Sequence, residues 1–198
     1  MKIQYCSDLH LEFPENKNYL LQNPIKPGAD ILILAGDIVP FAIMDEHQDF
    51  FDYISEHFKT TFWIPGNHEY YYYNITEKSG VLEEQIRGNI FLVNNCVKEI
   101  SGVNLIFSTL WSNISPSRQW LIQESLSDFK VIKYKDRLFN PYDYNMLHQE
   151  SLAFIKKAKQ ETANEKTIVV THHAPTFINY PEKYADSKIN EAFASNLD

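Results

Sequence analysis

Short apolar runs recur along the chain at wide intervals, and most of them stop abruptly at polar residues. Ile3–Cys6, Ile31–Ala35, Thr61–Ile64, Ile90–Val93, Val103–Ser108 and Thr167–Thr171 have the length and the β-branched and aromatic content of strands. Between the second and third, Phe50, Phe51, Ile54 and Phe58 follow steps of three and four residues, so a helix there carries one apolar stripe to lay over a sheet. A second amphipathic helix is predicted from Asp143 as N-cap, with Leu147, Phe154, Ile155 and Ala158 on one face, ahead of the strand at Thr167. Such a crossover favours a parallel strand. A further helix is expected over Lys188 to Asn196, and Ser112 to Tyr142, with two prolines and scattered aromatics, reads as an irregular cap. Strands alternating with helices define an α/β layered fold, sheets flanked by helices, with no internal repeat or linker.

The length, 198 residues, fits one domain, 1–198, and the 44% of hydrophobic residues suffices for a sizeable core. With 18 basic against 26 acidic residues the formal charge is −8, which disfavours a dedicated nucleic-acid binder. Cys6 and Cys96 stand far apart, in no metal or disulfide spacing, as reduced thiols of a cytoplasmic protein do. The first strand begins at Ile3, leaving no room for a signal peptide, and no apolar run approaches the roughly 20 residues of a membrane span. The expectation is a soluble cytoplasmic protein with no membrane partner.

Four strands end directly in residues that ligate metals: YCSDLH, ILAGD, WIPGNHE and VVTHHAP. In open α/β sheets, ligands bind beyond the carboxyl ends of strands, so Asp8, His10, Asp37, Asn67, His68 and His172 should gather on one rim. Carboxylate, imidazole and amide oxygen together suit divalent ions of intermediate hardness, such as Mn²⁺, Fe²⁺ or Zn²⁺.

Asp8-Leu9-His10, Gly36-Asp37, Gly66-Asn67-His68-Glu69 and Thr171-His172, in that order, resemble the signature of the calcineurin-like metallophosphoesterases over residues 2 to about 176. The resemblance implies a hydrolase of phosphate mono- or diesters, active on a small phosphorylated metabolite, nucleotide or phosphoprotein. It implies two divalent ions, with Asp8 and His10 on the first, Asp37 bridging both, and Asn67 and His172 on the second. A water shared by the ions would be the nucleophile. His68 would contact the phosphoryl group and help protonate the leaving oxygen, as an uncoordinated imidazole can near neutral pH.

The same residues have plainer readings. Asp37 alone could be a turn residue. His173 reads as a hydrogen-bonded neighbour of the site rather than a ligand. His47, His57 and His148 lie in helical segments outside any motif. Glu69, the tyrosines from Tyr70 to Tyr73, and Trp111 could frame a substrate, but packing accounts for them, and they are left out of the site. The family signature closes with a G-H-x-H loop, and no histidine follows His173. The expectation is therefore a domain short of its last strand and loop, three protein ligands on each ion, and an exposed sheet edge prone to homo-oligomerise. The alternative to an active hydrolase is a fragment or pseudoenzyme that keeps the fold and partial metal binding.

Overall fold

The computed structural model describes residues 1–198. In chain order it contains β1 (Ile3–Cys6), α1 (Pro14–Gln22), β2 (Ile31–Ala35), α2 (Gln48–His57), β3 (Thr60–Ile64), β4 (Leu82–Arg87) and β5 (Ile90–Asn94). There follow β6 (Cys96–Ile100), β7 (Val103–Ser108), α3 (Pro116–Ser125), α4 (Asp128–Val131), the two-residue strands β8 (Lys133–Tyr134) and β9 (Arg137–Leu138), α5 (Pro141–Glu161) and β10 (Lys166–Thr171). One sheet runs β1-β2-β3-β5-β4, parallel except for β4, and a second runs β10-β7-β6, with β10 parallel to β7. The two form a sandwich flanked by helices. No helix is long and apolar enough to cross a membrane.

The alternation of side chains along the strands builds these layers. Ile31, Ile33, Phe62 and Ile64 turn inward against Leu105 and Phe107 of the second sheet. Leu32, Leu34 and Trp63 turn outward onto Phe51 and Ile54 of α2. On the far side, Ile106 of β7 meets Ile155 and Ala158 of α5. β2 is thus covered on both faces, which is why it reads as an unbroken apolar run rather than an alternating one.

All six predicted strands are present, within a residue at each end. Four predictions need correction or filling in. α5 starts at Pro141 under Asn140, whose side chain accepts from the Tyr142 and Asp143 N–H groups. Asp143 is therefore not the N-cap but the third helical residue of a capping box, held in addition by Arg137 at 2.6 and 2.8 Å. The helix expected over Lys188 to Asn196 is a single 3₁₀ turn, Asn190–Ala192. Chain pairing stops it, because Ala174 N–H donates to Phe193 O and Ser195 N–H donates to Ala174 O. Ser112 to Tyr142 is ordered structure: Ile114, Ile122, Phe129, Ile132 and Phe139 all enter the main core. Finally α1 and the strands β4, β6, β8 and β9 were unpredicted. β4 and β6 are half-buried and put charged residues on both faces, Glu83 and Glu84 in β4, Lys98 and Glu99 in β6, so neither shows a clean apolar run or alternation.

Candidate metal centre

The loops that leave β1 and β2 run side by side. Asp8 N–H donates to Gly36 O at 3.0 Å, His10 N–H to Asp37 O at 3.0 Å, and Leu11 N–H to Ile38 O at 2.9 Å. Asn16 of α1 braces the first loop through its side-chain amide, which donates to the carbonyls of Leu9 and His10. Asp8, His10 and Asp37 have φ of 57°, 46° and 56°. The left-handed region costs a non-glycine residue roughly 1–2 kcal/mol, a strain that persists where surrounding contacts impose it, typically at functional sites.

These contacts collect two groups of ligand atoms that share Asp37. The Asp37 Oδ2 atom lies 3.8 Å from His10 Nε2, and Asp8 stands beside them, ligand atoms of all three being within 4.8 Å of one another. The Asp37 Oδ1 atom lies 3.5 Å from His172 Nε2, which is 3.3 Å from Asn67 Oδ1. Metal–ligand bonds of about 2.1 Å place neighbouring ligand atoms about 3–3.5 Å apart, so both groups are close to the spacing an ion requires. Glycine is needed at two positions: a Cβ at Gly36 would collide with the His172 ring, and one at Gly66 with Asp37 Oδ1.

Each imidazole has its Nδ1 engaged away from the center of the site. His172 Nδ1–H donates to Ala35 O at 2.9 Å, and the Nδ1 atoms of His10 and His68 lie 3.1 and 2.8 Å from the same Glu12 Oε1. With Nδ1 as the donor, the neutral form of His10 and of His172 presents its Nε2 lone pair toward Asp37, the arrangement typical of metal-ligating histidines. Burial favours a neutral Glu12, but the hydrogen bonds from His10 and His68 prevail and pull its pKa down to about 2. Burial alone would lower the His172 pKa, yet Asp37 and the Ala35 carbonyl raise it.

Sequence reasoning left out three further residues that the structure brings to the site. Glu69 is fully buried and accepts from Asp37 N, Ile38 N, Gly66 N and Trp63 Nε1 at 2.6–3.1 Å, tying the β2 and β3 loops together. Asp128 of α4 accepts from Asn67 Nδ2 at 3.1 Å, which turns the amide so that Oδ1 faces His172. It also accepts from Tyr71 OH at 2.8 Å, and the Tyr71 ring stacks on His68 at 4.0 Å. Burial raises the Asp128 pKa, against the two hydrogen bonds. The Glu69 signal was present in Asn-His-Glu itself; Asp128 had none, being remote in sequence.

His173 is buried and neutral, its pKa held well below the ordinary value by burial and by His172; its Nδ1 lies 3.3 Å from Thr109 O and its ring stacks on Trp111. Trp111 is in the core. His57 stacks on Tyr53, and His148 Nδ1 lies 3.2 Å from Leu110 O, both away from the ligands.

Asp8, Glu12, Asp37, Glu69 and Asp128 therefore crowd one region, and none of them hydrogen-bonds or ion-pairs with Lys or Arg. Concentrated carboxylates whose only basic partners are imidazoles are costly unless some are protonated, as burial favours for Glu69 and Asp128, or cations neutralise them. Donor chemistry and charge both fit divalent ions.

The chain belongs to the calcineurin-like phosphoesterase family, whose model matches residues 1–198. Members of this family are hydrolases of phosphate esters and usually bind two metal ions. The chain is 35% identical to an uncharacterized protein, L509, of Acanthamoeba polyphaga mimivirus, in an alignment covering 98% of this chain and 78% of the viral protein. Its fold matches the crystal structure of phosphopantetheinyl hydrolase from Mycobacterium tuberculosis with a TM-score of 0.66 at 17% identity, over 98% of this chain and 75% of that one.

Proposed function

We propose that the chain hydrolyses a phosphate mono- or diester with two divalent cations, Mn²⁺, Fe²⁺ or Zn²⁺, held by Asp8, His10 and Asp37 on one side and by Asp37, Asn67 and His172 on the other. The observation that carries the reading is the division of Asp37: one oxygen faces the His10 Nε2 atom and the other the His172 Nε2 atom. A carboxylate so placed can join two ions. The ions would supply an activated water and neutralise charge on the phosphoryl oxygens.

The remaining work belongs to the protein. His68 N–H donates to Asp37 Oδ1 at 2.9 Å, which locks the start of the 3₁₀ turn that carries His68. With Nδ1 tied to Glu12 and one ring face covered by Tyr71, the imidazole has Nε2 left to meet a phosphoryl oxygen. In its protonated form, Nε2–H would give its proton to the leaving oxygen. Three protein ligands on each ion would leave room there for water and substrate, as in catalytic zinc sites.

The test is metal analysis and turnover together. Protein purified with Mn²⁺ should carry metal and cleave an aryl phosphate or a bis-aryl phosphodiester, and Asp37→Ala should lose most of both. Full metal content in Asp37→Ala would refute the shared bridge. Metal binding with no turnover of any phosphate ester would favour a binding protein that has kept the fold.

A further inference from the structure

Behind the loop that carries His10, α1 and α2 do not close on one another. They leave a cavity of about 380 Å³ lined by Leu11, Leu20, Ile25 and Phe50, with Lys17, His47 and Asp49 at its polar side. α1 itself has no fully buried residue. It lies over the gap as a cover, with Leu21 at the rim 61% exposed.

The polar side is chemically unsatisfied. His47 is only 4% exposed, and its Nδ1 is buried with no hydrogen-bond partner. A proton on Nδ1 would strand a buried donor, so the neutral ring carries its hydrogen on Nε2. Burial, then the neighbouring Lys17 ammonium, lower the His47 pKa and keep the ring neutral. Nothing in the protein accepts from Nε2. The Lys17 ammonium donates to Glu46 O at 3.0 Å and stands 3.8 Å from Asp49, a loose pairing that leaves donor capacity. Lys17 and His47, each with donor capacity, thus both line a largely apolar chamber, in a size range that encloses small organic ligands.

We propose that this cavity is a binding site for a small apolar molecule with one anionic or carbonyl acceptor, such as a medium-chain acyl carboxylate, whose head meets Lys17 and His47 Nε2–H and whose tail lies among Leu11, Leu20, Ile25 and Phe50. Asp49 at the rim limits the head to a single acceptor group, because a second negative charge would face it. The site is separate from the metal centre, but Leu11 forms part of its wall and sits directly between His10 and Glu12. An occupant would therefore press on the chain that holds the first group of metal ligands.

Calorimetric titration of the full chain with decanoate, below its micellar concentration, tests this without reference to hydrolysis. One saturable site with Kd below about 1 mM is expected. Leu20→Trp, which fills the chamber, should weaken binding at least tenfold. Leu21→Glu, at an exposed position where folding is little affected, should weaken it several-fold by placing a carboxylate at the mouth. Decanol in place of decanoate should bind more weakly to wild type and equally to wild type and Leu21→Glu. Absence of saturable binding to the wild type would overturn the proposal. So would decanoate binding of wild-type strength to Leu21→Glu, or to Leu20→Trp if that variant melts at the wild-type temperature.

Discussion

Replacing Glu12 by Ala tests the site most sharply, because one carboxylate oxygen serves both the proposed ligand His10 and the proposed acid His68. The substitution removes the 3.1 Å contact to His10 Nδ1 and the 2.8 Å contact to His68 Nδ1 together. A hydrogen bond to a charged group contributes about 1.5–3 kcal/mol, and loss of such a partner behind a ligating histidine typically costs 10- to 100-fold in metal affinity or activity. With His10 freed to choose its tautomer and His68 freed to rotate, kcat should fall by about 100-fold and Mn²⁺ affinity by about 10-fold, with KM little changed. Glu12→Gln, which keeps an acceptor oxygen but not the charge, should fall in between. Calorimetric Mn²⁺ titration and steady-state hydrolysis of an aryl phosphate give both numbers. In the metal-free protein the same residue should shape acid stability. Its pKa lies below the ordinary 4.5, at about 2, so its contribution is present above pH 4.5 and is lost as pH falls toward 2. A lowering of that size corresponds to at most about 3 kcal/mol, and to less after solvent screening of this half-buried group. The His10 pKa is raised, chiefly by Glu12, so the ion pair also weakens as pH rises through the His10 titration. Acidification from pH 5 to 3 should therefore lower the melting temperature of the metal-free wild type more than that of Glu12→Ala. A Glu12→Ala protein with wild-type kcat and metal affinity would refute the shared-carboxylate argument.

His68→Ala should lower kcat by about 100-fold while metal content stays near that of the wild type, measured by elemental analysis; an emptied site would make His68 a ligand instead. Asp128→Leu should strip the Asn67 amide and the Tyr71 hydroxyl of their acceptor and lower metal affinity by 10- to 100-fold, whereas Asp128→Asn, which retains one carbonyl oxygen, should recover much of it. Equal titrations for these two variants would remove Asp128 from the account. β10 is an edge strand, and its Ile168 and Val169 are 42% and 40% exposed, so self-association through this edge is expected in concentrated solution. Val169→Lys should shift light-scattering mass toward the monomer; a wild type that stays monomeric at high concentration would exclude this contact.

The sequence by itself determined six of the ten strands and the strand ends from which the candidate ligands project. β2 could be read because a strand covered on both faces must be apolar throughout, and α2 because its apolar side chains recur at helical spacing. The five candidate ligands and His68 could be read because each follows directly on a strand, and strand ends in such folds converge without any need to know how neighbours pack. The polar partners behind them depend instead on which side chains face each other across the fold. Asp128 reaches Asn67 across 61 residues of chain, and the short helix that carries it is built on the packing of Phe129 against Phe139 and Tyr144. Glu12 stands two residues from His10, but its contact with His68 spans 56, and it requires both the pairing of the β1 and β2 loops and the bond from His68 N–H to Asp37 that ties in the loop after β3. The helix expected after Lys188 failed for the same reason. Its local pattern was overridden by backbone hydrogen bonds to Ala174, and a long-range contact of that kind leaves no periodicity in the chain that makes it.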